Sequence, residues 1–187
     1  MNEKTLVIFK PDVLARGLAG EILSRFEKVG LKIVAMKMVM ADENIAKEHY
    51  RKDDEWLLKK GKQMMQTLNI SDGDPKKYGQ MICDSLSSDL RIYPIIALIL
   101  EGHKAISAVK KLVGPTNPEE AMPGTIRGDF SHDSYLLANI NKRPAINLVH
   151  CTDDSKEVDR EIKLWFSPEE IVSWRKPDEI INYRRGK

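Results

Sequence analysis

In KTLVIFK (Lys4–Lys10) apolar residues run almost unbroken up to Pro11, the pattern of a buried strand. The next segment, PDVLARGLAGEILSRFEKVG, changes period. Ile22, Leu23 and Phe26 fall on one helical face, and Gly30 stops the helix. LKIVAMKMVMA then alternates with some slippage through Leu31, Val34, Met36 and Met38, which predicts a second, half-buried strand. Asp42 and Glu43 open a short helix through NIAKEHY. Between Asp53 and Leu90, EWLLKKGKQMMQTL and DPKKYGQMICDSL read as two helices joined by the turn signal SDGDP. RIYPIIALILEG is a third strand, with Pro94 near its start, where a missing donor is tolerated. HKAISAVKKLVG is amphipathic through Ile106, Val109 and Val113 and ends at Gly114. A Pro- and Gly-rich loop leads to a fourth strand, AINLVH, and DDSKEVDREIKLWF follows as a helix with Val158, Ile162 and Trp165 on one face. In SPEEIV, Ser167 is placed as an N-cap, Pro168 at the first helical position and Glu170 at the capping-box position.

The order is βαββαβ followed by terminal helices. That order predicts an α/β protein of the α+β sandwich type: a ferredoxin-like arrangement on a four-stranded antiparallel sheet, with an inserted helical segment at about 53–90 and C-terminal helices. A length of 187 residues suits a single domain over 1–187, and neither a repeat nor a linker breaks it.

Composition mainly excludes. With 42% hydrophobic and 31% charged residues the chain is an ordinary folded protein, and a net charge of +2 supplies no global field for nucleic acid. A single-strand binder working from the sheet would need exposed strand aromatics, yet strands one, two and four offer only Phe9. The longest apolar run, IIALIL, is too short to span a bilayer. The two cysteines, Cys83 and Cys151, have no CxxC spacing, and no signal-peptide core is visible, so the cytoplasm is expected.

VGPTNPEEAMPGTIRGDF (Val113–Phe130) is the segment richest in chemistry. Its glycines permit close backbone approach, its threonines donate hydroxyls, and Arg127 presents a planar fork that matches phosphate oxygens. On residue types alone it reads equally as a phosphate site or a structural loop. His150, where the fourth strand turns polar, reads equally as a packed or a reactive imidazole.

Taken together, TNPEEAMPGTIRGDF, the following NLVH-x-x-D and the preceding KTLVIFKPD closely resemble nucleoside diphosphate kinase, with the motifs in that family's order. The resemblance sets aside the 53–92 region and SHDSYLLANINKRP (131–144). It implies the ferredoxin-like fold already read from the element order, and a ping-pong transfer of the terminal phosphate between nucleoside di- and triphosphates through a phosphohistidine at His150. Imidazole is an effective nucleophile when neutral, its usual state near pH 7. By position, Glu161 corresponds to the carboxylate that orients the imidazole, Lys10 to the lysine on the transferred phosphate and Tyr50 to the tyrosine beside it. Thr116 and Arg127 correspond to phosphate ligands, and Asn147 to the amide that binds ribose hydroxyls and phosphate. Thr152 corresponds to a supporting hydroxyl, and Asp153 to an acid that meets the metal through water. Mg2+ would be held mainly by nucleotide phosphates and water. Lys110 stands where the family has a phosphate-binding arginine. Trp56, Leu57 and Leu58 replace a base-stacking phenylalanine, with Leu58 assigned to the nucleotide. The resemblance also implies a homo-oligomer, hexamer or tetramer. A family-fold nucleotide binder that has lost turnover is the competing reading. His49, His103 and His132 match no functional position and are read as surface or packing residues.

Overall fold

The computed structural model describes residues 2–152 and 154–182. Strands β1 (Asn2–Phe9), β2 (Lys32–Val39), β3 (Ile95–His103) and β4 (Val149–Cys151) form one sheet in the order β2-β3-β1-β4. Every pairing in it is antiparallel. The earliest of these four strands in the sequence, β1, is therefore an interior strand, paired on both sides.

Side chains alternate across a strand, and β1 uses both faces. Leu6 and Ile8 join Ile95, Ala97 and Ile99 on one side, under α3 (Glu43–His49) and α9 (Ser155–Trp165). Val7 and Phe9 join Leu98 and Leu100 on the other, under α2 (Ala19–Lys28) and α6 (Ala105–Val113). Two covered faces explain why KTLVIFK reads as an unbroken apolar run.

Three sequence expectations are corrected. The helix expected after Pro11 is two helices, α1 (Pro11–Ala15) and α2, because Gly17 turns the backbone left-handed at φ +66. Leu31, just before β2, and Val34 within it are buried, but Met36 and Met38 are 53% and 62% exposed. A register irregularity between Ile33 and Ala35 shifts the alternation there, and Met36 and Met38 join neither core cluster. The strand expected over AINLVH begins only at Val149, because Leu148 adopts φ +66 and breaks the extended run.

The remaining elements frame the site. Helices α4 (Asp54–Thr67) and α5 (Pro75–Asp89) form a hairpin N-capped by the Asp53 and Asp74 side chains. They pack backbone to backbone: a Cβ on Gly61 would lie 1.7 Å from Pro75 O, and one on Gly79 2.1 Å from Leu57 O. Two short helices, α7 (Ile126–Phe130) and α8 (Tyr135–Ile140), follow the long loop. After α9, a 3-10 turn at Pro168–Glu170 carries the predicted Ser167/Glu170 capping box. The segment beyond it runs against the start of β2, with Val172 N–H donating to Val34 O at 2.8 Å and Trp174 Nε1–H to Ile33 O at 3.0 Å. Helix α10 (Glu179–Asn182) closes the described chain, and Lys32 pairs with Glu101 at 2.8 Å and Glu179 at 2.9 Å.

Candidate active site

Leu148 organises the site. A leucine in the left-handed region is strained, and two bonds hold it there. Its N–H donates to Asp12 Oδ2 at 2.9 Å, and its carbonyl accepts from Lys10 N–H at 2.9 Å. The end of β1 and the approach to β4 are thus tied together across the sequence. That tie sets Asn147 on one side of the bend and His150, paired with Ile8, on the other.

His150 Nε2 lies 3.1 Å from Glu161 Oε2 on α9, and the Thr152 hydroxyl donates to the same oxygen. Glu161 is 2% exposed. Burial alone would raise its pKa, but the His150 hydrogen bond and charge, His49 and the Thr152 hydroxyl together pull it down to about 2. An ionised carboxylate only accepts, so in the neutral form of His150 Nε2 carries the ring proton and Nδ1 keeps its lone pair.

A cavity of about 860 Å³ opens beside this ring, within the usual range for a small-molecule site. Its walls bring together Lys10, Tyr50, Lys110, Thr116, Arg127, Asn147 and His150. Lys10 is buried, and its Nζ donates to Asn147 Oδ1 at 2.8 Å; the Asn147 amide donates in turn to Thr116 O at 3.0 Å. Burial lowers the Lys10 pKa, against the pull of Asp12 and Asp89, and Arg127 lowers it further. Arg127 anchors the cavity wall as well as charging it: its guanidinium donates to the carbonyls of Gly114 at 2.7 Å, Asn147 at 3.0 Å and Val149. Burial pushes the Tyr50 hydroxyl pKa up, so it stays a proton donor.

Leu58 is not on the wall; it is 41% exposed. Trp56 lines the cavity with Lys60 and Met64, and two residues of helix, about 200°, turn Leu58 away from it. Asp153 lies outside the described residues. Sequence reasoning also passed over contributors. Tyr135, Lys142 and Arg143, from the 131–144 segment, line the cavity together with residues of the α4–α5 hairpin. His49, read as a packing residue, is indeed buried, but against His150 itself, with ring centroids 4.3 Å apart. Its one sequence signal was its place beside Tyr50.

A sequence model of the family described as nucleoside diphosphate kinase matches residues 3–71 and 73–171. The chain belongs to the nucleoside diphosphate kinase family. Its function is phosphoryl transfer, moving the terminal phosphate of a nucleoside triphosphate to a nucleoside diphosphate by a ping-pong route through a phosphohistidine. The nucleoside diphosphate kinase of Pyrobaculum aerophilum is 46% identical, over 91% of this chain and 98% of its own. A crystal structure of the NDP kinase from that organism superposes with a TM-score of 0.87 at 44% identity, covering 92% of this chain and 100% of the other. The nucleoside diphosphate kinase from Borrelia burgdorferi, solved with vanadate and ADP as a transition-state mimic, gives a TM-score of 0.82 at 36% identity, with 97% of each chain covered. That of Halobacterium salinarum, in complex with CDP, gives 0.73 at 33%, covering 98% and 100%. The family match runs through both stretches that the motif resemblance had set aside.

Proposed function

We propose that Nδ1 of His150 is the atom that carries the phosphate. The observation behind this reading is the contact between His150, on the cavity wall, and the buried carboxylate of Glu161, which commits Nε2 to the carboxylate and leaves Nδ1 as the nucleophile. The Nδ1 lone pair forms a bond to the terminal phosphorus as the bond from phosphorus to the bridging oxygen breaks, and the nucleoside diphosphate leaves with that electron pair. The positive charge that develops on the ring is balanced by Glu161. An oxygen of the second diphosphate then attacks the same phosphorus and restores the imidazole. Lys10, Lys110, Thr116, Arg127 and Asn147 bind and orient the phosphates, and Tyr50 donates beside Lys10. Fixed donors aimed at charge that grows in the transition state supply most of such catalysis.

The family works with a divalent cation, and we assign Mg2+, brought in on the nucleotide. Among the described residues the three-group cluster of potential ligands is His49, His150 and Glu161. Two imidazoles and one carboxylate form a donor set for softer ions, whereas Mg2+ takes oxygen ligands, which the nucleotide phosphates provide. When bound, the ion neutralises phosphate charge. Relatives solved with ADP and with CDP support acceptance of both purine and pyrimidine nucleotides.

The chain is read as one catalytic domain, with the α4–α5 hairpin an integral wall of the site. Exposed Met36, Met38 and Met40 along the edge strand support a homo-oligomer, hexamer or tetramer. Among the described residues no helix is long and apolar enough to cross a membrane. Cys83 and Cys151 form no disulfide, which agrees with residence in the cytoplasm.

The test is incubation with γ-labelled ATP and Mg2+. The expected product is an acid-labile, base-stable phosphoenzyme that added GDP discharges. Absence of label, or label that GDP does not remove, overturns the reading.

A further inference from the structure

His49 is the last residue of α3 and only 1% exposed. Its ring meets that of His150 edge to face, 4.3 Å between centroids and 78° between planes. On other sides it meets the rings of Tyr50 at 4.8 Å and Trp165 at 5.7 Å. Trp165 Nε1–H donates to His49 Nδ1 at 3.3 Å. Indole can only donate, so Nδ1 is an acceptor, and in neutral His49 the ring proton sits on Nε2. That Nε2 is buried and has no hydrogen-bond partner.

A residue needed only to fill this space would be better apolar, since a buried polar atom left without a partner is costly. The histidine instead stands within a cluster: a ring nitrogen of His49, one of His150 and an oxygen of Glu161 all lie within 4.8 Å of one another. Burial pushes the His49 pKa well below its ordinary value; His150, Lys52 and Arg160 add to the effect, and Glu161 opposes it. A neutral neighbour matters here, because a second cation at this distance would oppose positive charge on the phosphate-accepting ring.

We propose that His49 is a positioning residue for the phosphate acceptor. Its ring, held by Trp165 and perpendicular to that of His150, fixes the plane of His150 so that Nε2 stays on Glu161 and Nδ1 stays available to the cavity. Glu161 holds His150 by a single contact at one corner of the ring, and one contact leaves rotation about that corner open. The perpendicular His49 ring removes this freedom.

The inference rests on His150 being the acceptor, so wild type and His150→Ala are labelled first. Label persisting in His150→Ala sinks that underlying reading. If the reading stands, His49→Gln keeps an acceptor for Trp165 but removes the ring. It should slow single-turnover labelling by about ten- to a hundredfold, the range seen when outer partners of a functional histidine are lost. ADP affinity should stay within about twofold. Nitrogen-15 NMR of His150 should change from one tautomer to a mixture. The double variant His49→Phe/Trp165→Phe restores a ring and removes both members of the hydrogen bond, and should recover most of the labelling rate. Should His49→Gln fail to fold, Trp165→Phe alone, which frees the His49 ring, replaces it with the same expected direction. Unchanged labelling with a single tautomer overturns the role. So does a loss of labelling that follows ADP affinity and folding in parallel.

Discussion

At the residue scale, the proposed mechanism separates a nucleophile, His150, from the clamp that presents phosphate to it. His150→Ala should therefore abolish phosphoenzyme formation while Mg-ADP still binds, which equilibrium titration and labelling would show together; parallel loss of both would contradict the separation. Glu161 carries a pH signature. Its carboxyl titrates near 4.5 in an unfolded chain and at about 2 in the folded one. The ionised form is thus favoured by folding: the stabilisation is complete above about pH 4.5 and is lost as pH falls toward 2. Glutamine resembles the protonated form, so wild type should melt above Glu161→Gln at neutral pH, with the gap closing across that acid window. A constant gap would show that the charge is not what stabilises. Lys110 offers a third test. It lines the cavity, whereas Lys111, about 100° further round α6, is exposed and does not. Lys110→Arg supplies a planar fork and should tighten a non-hydrolysable ATP analogue by about 1 kcal/mol, roughly fivefold. Lys111→Arg should leave affinity unchanged, and equal effects would place Lys110 away from the phosphates.

Elements show what the sequence made legible and where it stopped. Strand and helix order followed from period and breakers, since buried faces impose their spacing on the residues that form them. The seven motif residues on the cavity wall were legible because nucleotide chemistry restricts their types. His49 was not, because a buried histidine announces neither its neighbours nor its tautomer. Nor was the outward turn of Met36 and Met38, which depends on an irregularity in the pairing with β3. Leu58 shows the same limit: TrpLeuLeu gives three apolar candidates, and only the hairpin packing chooses Trp56. That packing is itself testable. Gly79→Ala would drive a Cβ to 2.1 Å from Leu57 O, a clash with backbone and not with a movable side chain. The hairpin must open, and stability should fall by about 1–3 kcal/mol, the usual scale of overpacking, with weaker nucleotide binding. Unchanged melting and affinity would mean the two helices do not need their close crossing.

At the scale of the whole molecule, the sheet has one edge at β4, within the site, and another at β2, where the described segment after α9 bonds to the backbone of Ile33 and Val34 and Glu170 pairs with Lys37. Beside these contacts, Met36, Met38 and Met40 stand in water at 53%, 62% and 57% exposure. If that row is a subunit contact, Met38→Glu should lower the sedimenting mass at a concentration where wild type is assembled; an unaltered mass would move the contact elsewhere.

The interior position of β1 bears on synthesis. Of the four strands β1 leaves the ribosome first, and it needs one partner from residues 95–103 and another from 149–151. Lys10 meets Asn147 across 137 residues of chain. Contacts so far apart close slowly, and an apolar strand with both flanks unpaired invites association with other chains. A nascent chain that stops short of residue 149 has β3 to cover one flank of β1 and nothing native for the other. Completion of the catalytic strand and concealment of that last sticky flank are thus one event, and any truncation that spares the nucleotide loop but removes β4 should yield a protein prone to aggregate, not merely an inactive one.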